Sequence, residues 1–457
     1  MNRPPVVVMG LDCPTGLQTA RVFAARGIEV IGIAADPNHP CARTRSCRRV
    51  IRAESDSESM VEALIALASQ LEARAVLVPC TDRAVLGVAR HRQRLSEHFL
   101  SSVPPLPVIE QLMDKARFAD FAVKHDLPIP LTHVLRCRGD VETAAREMRF
   151  PCVFKPSIKS VLWDDNVSAK ALVARSPDEL LDLFHRHGRW ADAFVVQEWI
   201  DGGDTDHYTC DCYLADGEAL VTFSSRKLRQ WPPVVGQACL SVEHRNDAVP
   251  EEAIRVFRNA GHQGQGYIEL KWDHRTGRHL IIEANVGRPT GRSTAAEKAG
   301  VELLMTMYCH LIGDPLPAER VQHFQGLKWI YIRRDLQACA YMLFHRRTTL
   351  GAIVRSWRGP FAFALFSLRD PVPFLADLTR AVRGALTARR RSRPGRVTPL
   401  SRRDRFGDRA PTSDMNAPPA PEPSAGRVHP FVSLAIAGAG SMALGHLARS
   451  VAPLLGG

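Results

Sequence analysis

Residues 266–285, GYIELKWDHRTGRHLIIEAN, constrain this chain more than any other stretch. Two runs of strand-forming residues flank a polar turn containing Thr276-Gly277, which predicts a β-hairpin. A hairpin centred on Thr276 sets Glu269 directly opposite Glu283 and puts Asn285 on the face of Glu283, because strand side chains repeat every second residue. Facing carboxylates weaken a ladder, and both are ionised at neutral pH, since a free Glu titrates near ~4.3. The pair therefore calls for a cation. Two Glu and one Asn form an all-oxygen set suited to a hard ion such as Mg²⁺, which takes its other ligands from water and phosphate. An exposed hairpin with ordinary surface glutamates would carry the same letters, so the rest of the chain has to decide.

Other segments supply groups for an anionic ligand. Lys155 sits mid-strand between Phe154 and Pro156, where an ammonium needs an anionic partner. Lys115 opens a helix, a place unfavourable to a cation, which gives weight to a phosphate-facing role. In FVVQEWIDGGD, backbone groups around Glu198–Ile200 are candidates to pair with an adenine edge, and Asp204 to accept from ribose hydroxyls. Arg226, Lys227 and Arg229 cluster in SSRKLRQWPP, and Arg288 and Arg292 follow the proposed metal ligands. Guanidinium forks bind carboxylate and phosphate through two bonds, so these are candidates for holding an acyl substrate and a transferred phosphoryl group.

The order of elements gives the fold class. From Val6, short β-branched runs alternate with helical patterns (VVVMG, a helix near 15–26, EVIGIAAD, a helix near 59–71, AVLVPC), which predicts a parallel α/β sheet. From 150 the strands FPCVFKPS, FVVQEWI, HYTCDCYLADG, GYIELKW and HLIIEAN read as antiparallel, with a second hairpin turn at Asp216-Gly217. Residues 316–390 read as aromatic and Arg-rich helices, 391–427 as a disordered basic, Pro-rich linker, and 428–457 as an apolar helix. The formal charge of +12 suggests nucleic acid, but eleven arginines against two aspartates between Arg380 and Arg409 hold +9 of it. The basicity belongs to a tail, and no nucleic-acid partner is expected. The eleven cysteines include no CxxC pair. Cys210 and Cys212 are expected to alternate across a strand, and all are read as free thiols of a cytoplasmic protein. No signal-peptide core is visible at the start.

With these residues in hand, the chain resembles the ATP-grasp superfamily, and within it the carboxylate-amine ligases, over roughly residues 5–370. The spacing of Glu269, Glu283 and Asn285 is similar to that superfamily's metal-binding strand pair. The resemblance implies a Rossmann-like domain (1–105) preceding a two-lobed ATP-grasp fold of α+β type with antiparallel sheets (106–315), with a nucleotide lobe at 106–200 and a metal and substrate lobe at 201–315. Carried over residue by residue, it implies that Lys115 and Lys155 hold nucleotide phosphates, that Gln197, Glu198, Trp199 and Ile200 form the adenine hinge, and that Asp204 meets the ribose. Lys170 is a further phosphate contact or a solvated lysine. Thr81 and Asp82 become substrate-contact candidates. Two departures stand out: the loop after Lys155 lacks the glycines common in relatives, and EANVGRP replaces Glu-x-Asn-Pro-Arg, which unsettles the place of Arg288.

The implied activity is ATP-dependent ligation of a small-molecule carboxylate to an amine, or to a thiol, through an acyl phosphate, with Mg²⁺ or Mn²⁺ and with Arg288, Arg292, Lys227 and Arg229 at the acyl end. Two alternatives stay open: a nucleotide-binding module without turnover, and a nicotinamide dehydrogenase suggested by MGLDCPTG and Asp36, which lacks GxGxxG. The oligomeric state stays open, a homodimer among the options, and the tail reads as attachment to an anionic membrane surface or to an acidic partner, or as solvated chain.

Overall fold

The computed structural model describes residues 3–391 apart from 55, 159–160, 168–170 and 234–235. Lys170, the expected linker beyond its first residue, and the expected helix 428–457 lie outside the described residues.

Strands β1 (Val6–Met9), β2 (Val30–Ala34), β3 (Arg49–Arg52), β4 (Ala75–Pro79) and β5 (Phe99–Leu100) form a parallel sheet in the order β3-β2-β1-β4-β5. VVVM, VIGIA and AVLVP are apolar without alternation because helices cover both faces and every one of these residues is buried. The strand order reverses beside β1, which opens a crevice at the carboxyl ends of β1 and β4. Gly10 closes the turn there with φ +78°, and a Cβ on it would meet Thr81 Cγ2 at 2.7 Å.

The next sheet is antiparallel: β6 (Thr132–Leu135), β7 (Cys152–Pro156), β8 (Leu172–Ala174) and β9 (Phe194–Glu198), in the order β6-β9-β7-β8. Its core stacks Phe154 on Phe194, with ring centroids 4.6 Å apart, beside Trp163.

The largest sheet contains β10 (His207–Ala215), β11 (Glu218–Trp231), β12 (Gln237–Glu243), β13 (Gly264–Asp273), β14 (Arg278–Val286), β15 (Lys328–Ile330) and β16 (Phe361–Phe363), ordered β14-β13-β10-β11-β12-β15-β16. The β10–β11 hairpin turns at Asp216-Gly217, both at positive φ, as a two-residue turn of this kind requires. Residues 316–390, expected as helices only, also contribute β15 and β16 to this sheet alongside helices Ile332–Phe344, Leu350–Ser356 and Val372–Arg391. Cys210 and Cys212 do not alternate; two residues apart, they share one face, with sulfurs 3.5 Å apart and buried among apolar neighbours.

The β13–β14 hairpin is less regular than its sequence suggests. Asp273 pairs with Arg278 and Leu270 with Ile281, but the register then shifts so that Glu269 faces Glu283 and Tyr267 faces Asn285. Ile282 is the extra residue of a β-bulge. Without it Glu283 would lie on the apolar back, where Ile268, Leu270, Ile281, Ala284 and Val286 pack against Val256 and Phe257 of helix Ala248–Asn259. No helix among the described residues is long and apolar enough to cross a membrane.

Candidate functional site

The front of the large sheet is polar, and the register stacks its side chains in cross-strand rows. One row carries Lys271 opposite His207, with Lys227 next on β11. The second runs Glu283, Glu269, Thr209, Ser225, and the third Asn285, Tyr267, Asp211, Phe223. A charge gradient follows, from cationic through acidic to a mixed row nearest the parallel sheet. Crowding by Lys227 and Lys271 adds to burial and holds His207 down at about 2, so it is a neutral imidazole.

Across the cleft stand the two expected lysines. Lys155 rises from β7, and Lys115 opens helix Lys115–Lys124 with its ammonium 3.4 Å from the Ser157 carbonyl. Enclosure by protein and the facing Glu269 push the Glu283 carboxyl up from its ordinary value, and both lysines pull it back. Glu283 nevertheless opens onto the water of the cleft. Burial, with Lys115 adding to it and Glu283 opposing, lowers Lys155 to about 8. Below that pH Lys155 is charged before a phosphate arrives; above it, binding must take up a proton. Nucleotide affinity should therefore hold up to about pH 8 and then fall, by up to about tenfold per pH unit. Titration calorimetry against pH checks this, with Lys155→Met expected to flatten the slope.

The expected hinge differs in detail. The side chain of Gln197 is engaged within the sheet: its Oε1 accepts from Lys155 (3.2 Å) and its Nε2 donates to Thr132 Oγ1 (3.1 Å), so it positions the lysine. Glu198 turns its carboxylate outward to Arg275 at 3.2 Å. The amides of Glu198 and Trp199 already donate to Leu131 and Pro151. Lys271 donates to the Ile200 carbonyl at 2.7 Å and lies 5.9 Å from the Trp199 ring centre. The side chains of Gln197 and Glu198 and the amides of Glu198 and Trp199 are thus engaged within the protein. Asp204 accepts from the Gln230 amide at 3.0 Å; burial raises its carboxyl, while that bond and Lys227 oppose the rise.

The expected cations divide. Lys227 faces the cleft, its ammonium 3.0 Å from Gln230 Oε1, lowered by burial and supported by Glu269. Arg229, expected beside it, is turned away by two register shifts in β11. Its fork closes on the fully buried Asp335 at 2.7 and 2.9 Å, and Nη1 donates to Ser356 Oγ. It is a strut for the C-terminal helices and is not available to a substrate. Arg226 lies on the back over Tyr208. Arg288 donates to Asp82, to Tyr267 Oη (2.7 Å) and to Asn285 Oδ1 (2.6 Å), which ties the parallel sheet to the hairpin. Thr81 caps helix Asp82–Arg90 through the Ala84 amide. Arg292 donates to Thr209 Oγ1 at 3.0 Å while its buried Nε has no partner.

Sequence reasoning missed Asp211. It is 1% exposed, and neither carboxylate oxygen has a hydrogen-bond partner. The Thr290 hydroxyl lies close enough to act on its charge without reaching hydrogen-bond geometry. Burial pushes Asp211 up to about 7, against Arg292 and Thr290, with Glu269 adding to the rise. A carboxyl raised on folding keeps its proton at low pH and destabilises the fold as pH rises from about 4 through 7. Asp211→Asn should accordingly raise the melting temperature at pH 8 and not at pH 4, as scanning calorimetry would show. The alternation of HYTCDCYLADG put Asp211 on the face of Thr209, but the neighbouring strand was not legible.

No family model matches the chain. A D-aspartate ligase from Enterococcus faecium (strain Aus0004) is 23% identical over 231 residues, which is 48% of this chain and 54% of that protein. The chain thus spans about half the length of that curated relative. Among solved structures, a biotin carboxylase from Campylobacter jejuni in a β-γ-ATP complex superposes with TM-score 0.57 at 14% identity, covering 71% of this chain and 74% of that one. An L-amino acid ligase from Bacillus licheniformis gives 0.54 at 14%, covering 71% and 78%. The ADP complex of purK, an N5-carboxyaminoimidazole ribonucleotide synthetase, gives 0.53 at 16%, covering 70% and 81%.

The chain has an ATP-grasp fold.

At these identities the likeness speaks for the fold. In ATP-grasp terms, the parallel sheet is the Rossmann-like part, and the four-stranded and seven-stranded sheets face each other across the cleft that collects Lys115, Lys155, Lys227, Glu269 and Glu283.

Proposed function

We propose that this protein is an ATP-dependent ligase that activates a carboxylate by phosphorylation and joins it to an amine. The observation that carries the reading is the facing pair Glu269 and Glu283, opposed across one ladder, with the charges of Lys115, at a helix start, and Lys155, on β7, acting on Glu283. The named relatives, among them a D-aspartate ligase and an L-amino acid ligase, support it.

The residues fit a hard divalent ion. Among the described residues no group of three or more His, Cys, Asp or Glu is placed to hold a metal. An ion here would rest on Glu269, Glu283 and the amide oxygen of Asn285. That oxygen keeps a second lone pair beside its bond to Arg288, and the buried Nδ2 of Asn285 has no partner. Magnesium or manganese, when bound, would screen the charge on the nucleotide phosphates.

The chain's own groups then divide the work. Lys115 and Lys155 hold the phosphates of ATP, Asp204 the ribose, and the turn after β9 the base. A carboxylate oxygen of the first substrate attacks the γ-phosphorus as the bond to ADP breaks, and Lys227 with Arg292 offsets the charge on the acyl phosphate. The amine then attacks the acyl carbon, phosphate leaves, and the amine's proton passes to solvent. Closing of the two sheets over the cleft keeps water from the activated acyl group.

The test incubates the purified protein with Mg-ATP and a panel of carboxylates paired with amines or thiols, following ADP and phosphate. Release that requires both substrates supports ligation. ATP binding with no turnover on any pair points to a binding module, and absence of ATP binding ends the reading.

A further inference from the structure

Helix Val372–Arg391 is attached to the body by its polar side and leaves apolar residues in water. Asp377, 7% exposed, accepts from Arg333 Nε (2.7 Å), Arg333 Nη2 (3.0 Å) and Tyr331 Oη (3.2 Å). Phe374 packs inward beside it. On the other side Val372, Leu375, Leu378 and Val382 are 43%, 55%, 36% and 59% exposed. Their spacing of three, three and four residues places them along one side of the helix. Leu368, 64% exposed, precedes them, and the exposed Arg380 and Arg383 lie on the same helix.

A surface helix ordinarily turns its apolar stripe to the core, so this one is inverted, and a contiguous exposed stripe marks a contact surface. The chemistry of the occupant follows from charge. The segment from Arg380 to Arg409 holds eleven arginines against Asp404 and Asp408. A narrow apolar stripe on a helix that is polar overall, followed in the sequence by dense basic charge, is the pattern of a helix lying in a lipid interface. Neither element holds a membrane firmly by itself; the two together supply the pair of signals that stable attachment needs.

We propose that helix Val372–Arg391 lies along an anionic lipid surface, with Val372, Leu375, Leu378 and Val382 entering the acyl boundary and Arg380 and Arg383 meeting the headgroup phosphates. The surface goes beyond the ligase reading and does not depend on it.

The test uses the full chain and sedimentation with phosphatidylcholine vesicles, with and without about 30% phosphatidylglycerol. Binding to the anionic vesicles should be at least about tenfold stronger and should fall as salt rises from ~0.1 to ~0.5 M. The triple variant L375E, L378E and V382E should lower it at least about tenfold, each lost apolar contact and added negative charge acting in the same direction. Its melting temperature and nucleotide affinity should be unchanged, since the three side chains face water. Equal binding by the triple variant would overturn the proposal. So would binding that disappears only when residues 428–457 are removed, or lipid-free self-association that the triple variant abolishes, because the occupant would then be the tail or a second copy.

Discussion

Glu283→Ala should remove substrate-dependent ADP release by about 10³-fold or more while leaving the unliganded protein as heat-stable as the parent, or slightly more so. The first half follows from the cleft. Glu283 is the carboxylate that feels the charges of both Lys115 and Lys155, and its loss takes one of three oxygen donors from the proposed ion, whose charge screening is worth several kcal/mol. The second half follows from the ladder. Glu269 and Glu283 are like charges directly opposite each other, an arrangement that weakens a sheet. A residue retained for stability could not behave this way. Steady-state ADP release and a thermal melt on the same preparation decide it: a variant that melts well below the parent would mark Glu283 as structural, and full activity would remove the pair from the chemistry.

The opposite pattern is expected at Arg229. Arg229→Ala should cost about 3–5 kcal/mol of stability, because it strands Asp335 as an uncompensated charge in the interior. Asp335 also accepts from Trp357 Nε1 at 2.8 Å, so its disturbance reaches the helix Leu350–Ser356 that precedes that residue. Replacing both partners, as in R229M with D335L, should recover most of the loss, since a pair of apolar side chains leaves no orphan charge. Urea denaturation of the two variants gives the comparison. A parental midpoint for Arg229→Ala together with a raised KM would return Arg229 to the substrate site.

Arg229 also shows where the sequence stopped being readable. Its spacing from Lys227 places both on one strand face, and only the two register shifts in β11, set by contacts with β12, turn it to Asp335. Lys115, Lys155, Lys227, Glu269 and Glu283 were legible because each is a charged residue inside a strand or at a helix start, where burial without a partner is costly. Gln197 was legible as a position but not as a role, since its partner Lys155 lies 42 residues away on another strand. Asp211 was missed because a buried carboxylate is recognisable only once the strands on either side are known. The parallel sheet could be read from its unalternating apolar runs, whereas β15 and β16 are three residues each and carry no periodicity to detect.

The bulge at Ile282 leaves a numerical trace. In the outer part of the hairpin, paired positions differ by odd numbers, as Leu270 and Ile281 do, while Glu269 and Glu283 differ by an even one. A straight two-stranded ribbon cannot contain both parities, so an even separation across the even turn closed by Asp273 and Arg278 requires an inserted residue. Distant sequences aligned on alternation alone would lose that residue as a gap and swing the acidic partner to the wrong side. Aligning them on the parity of the interval keeps it.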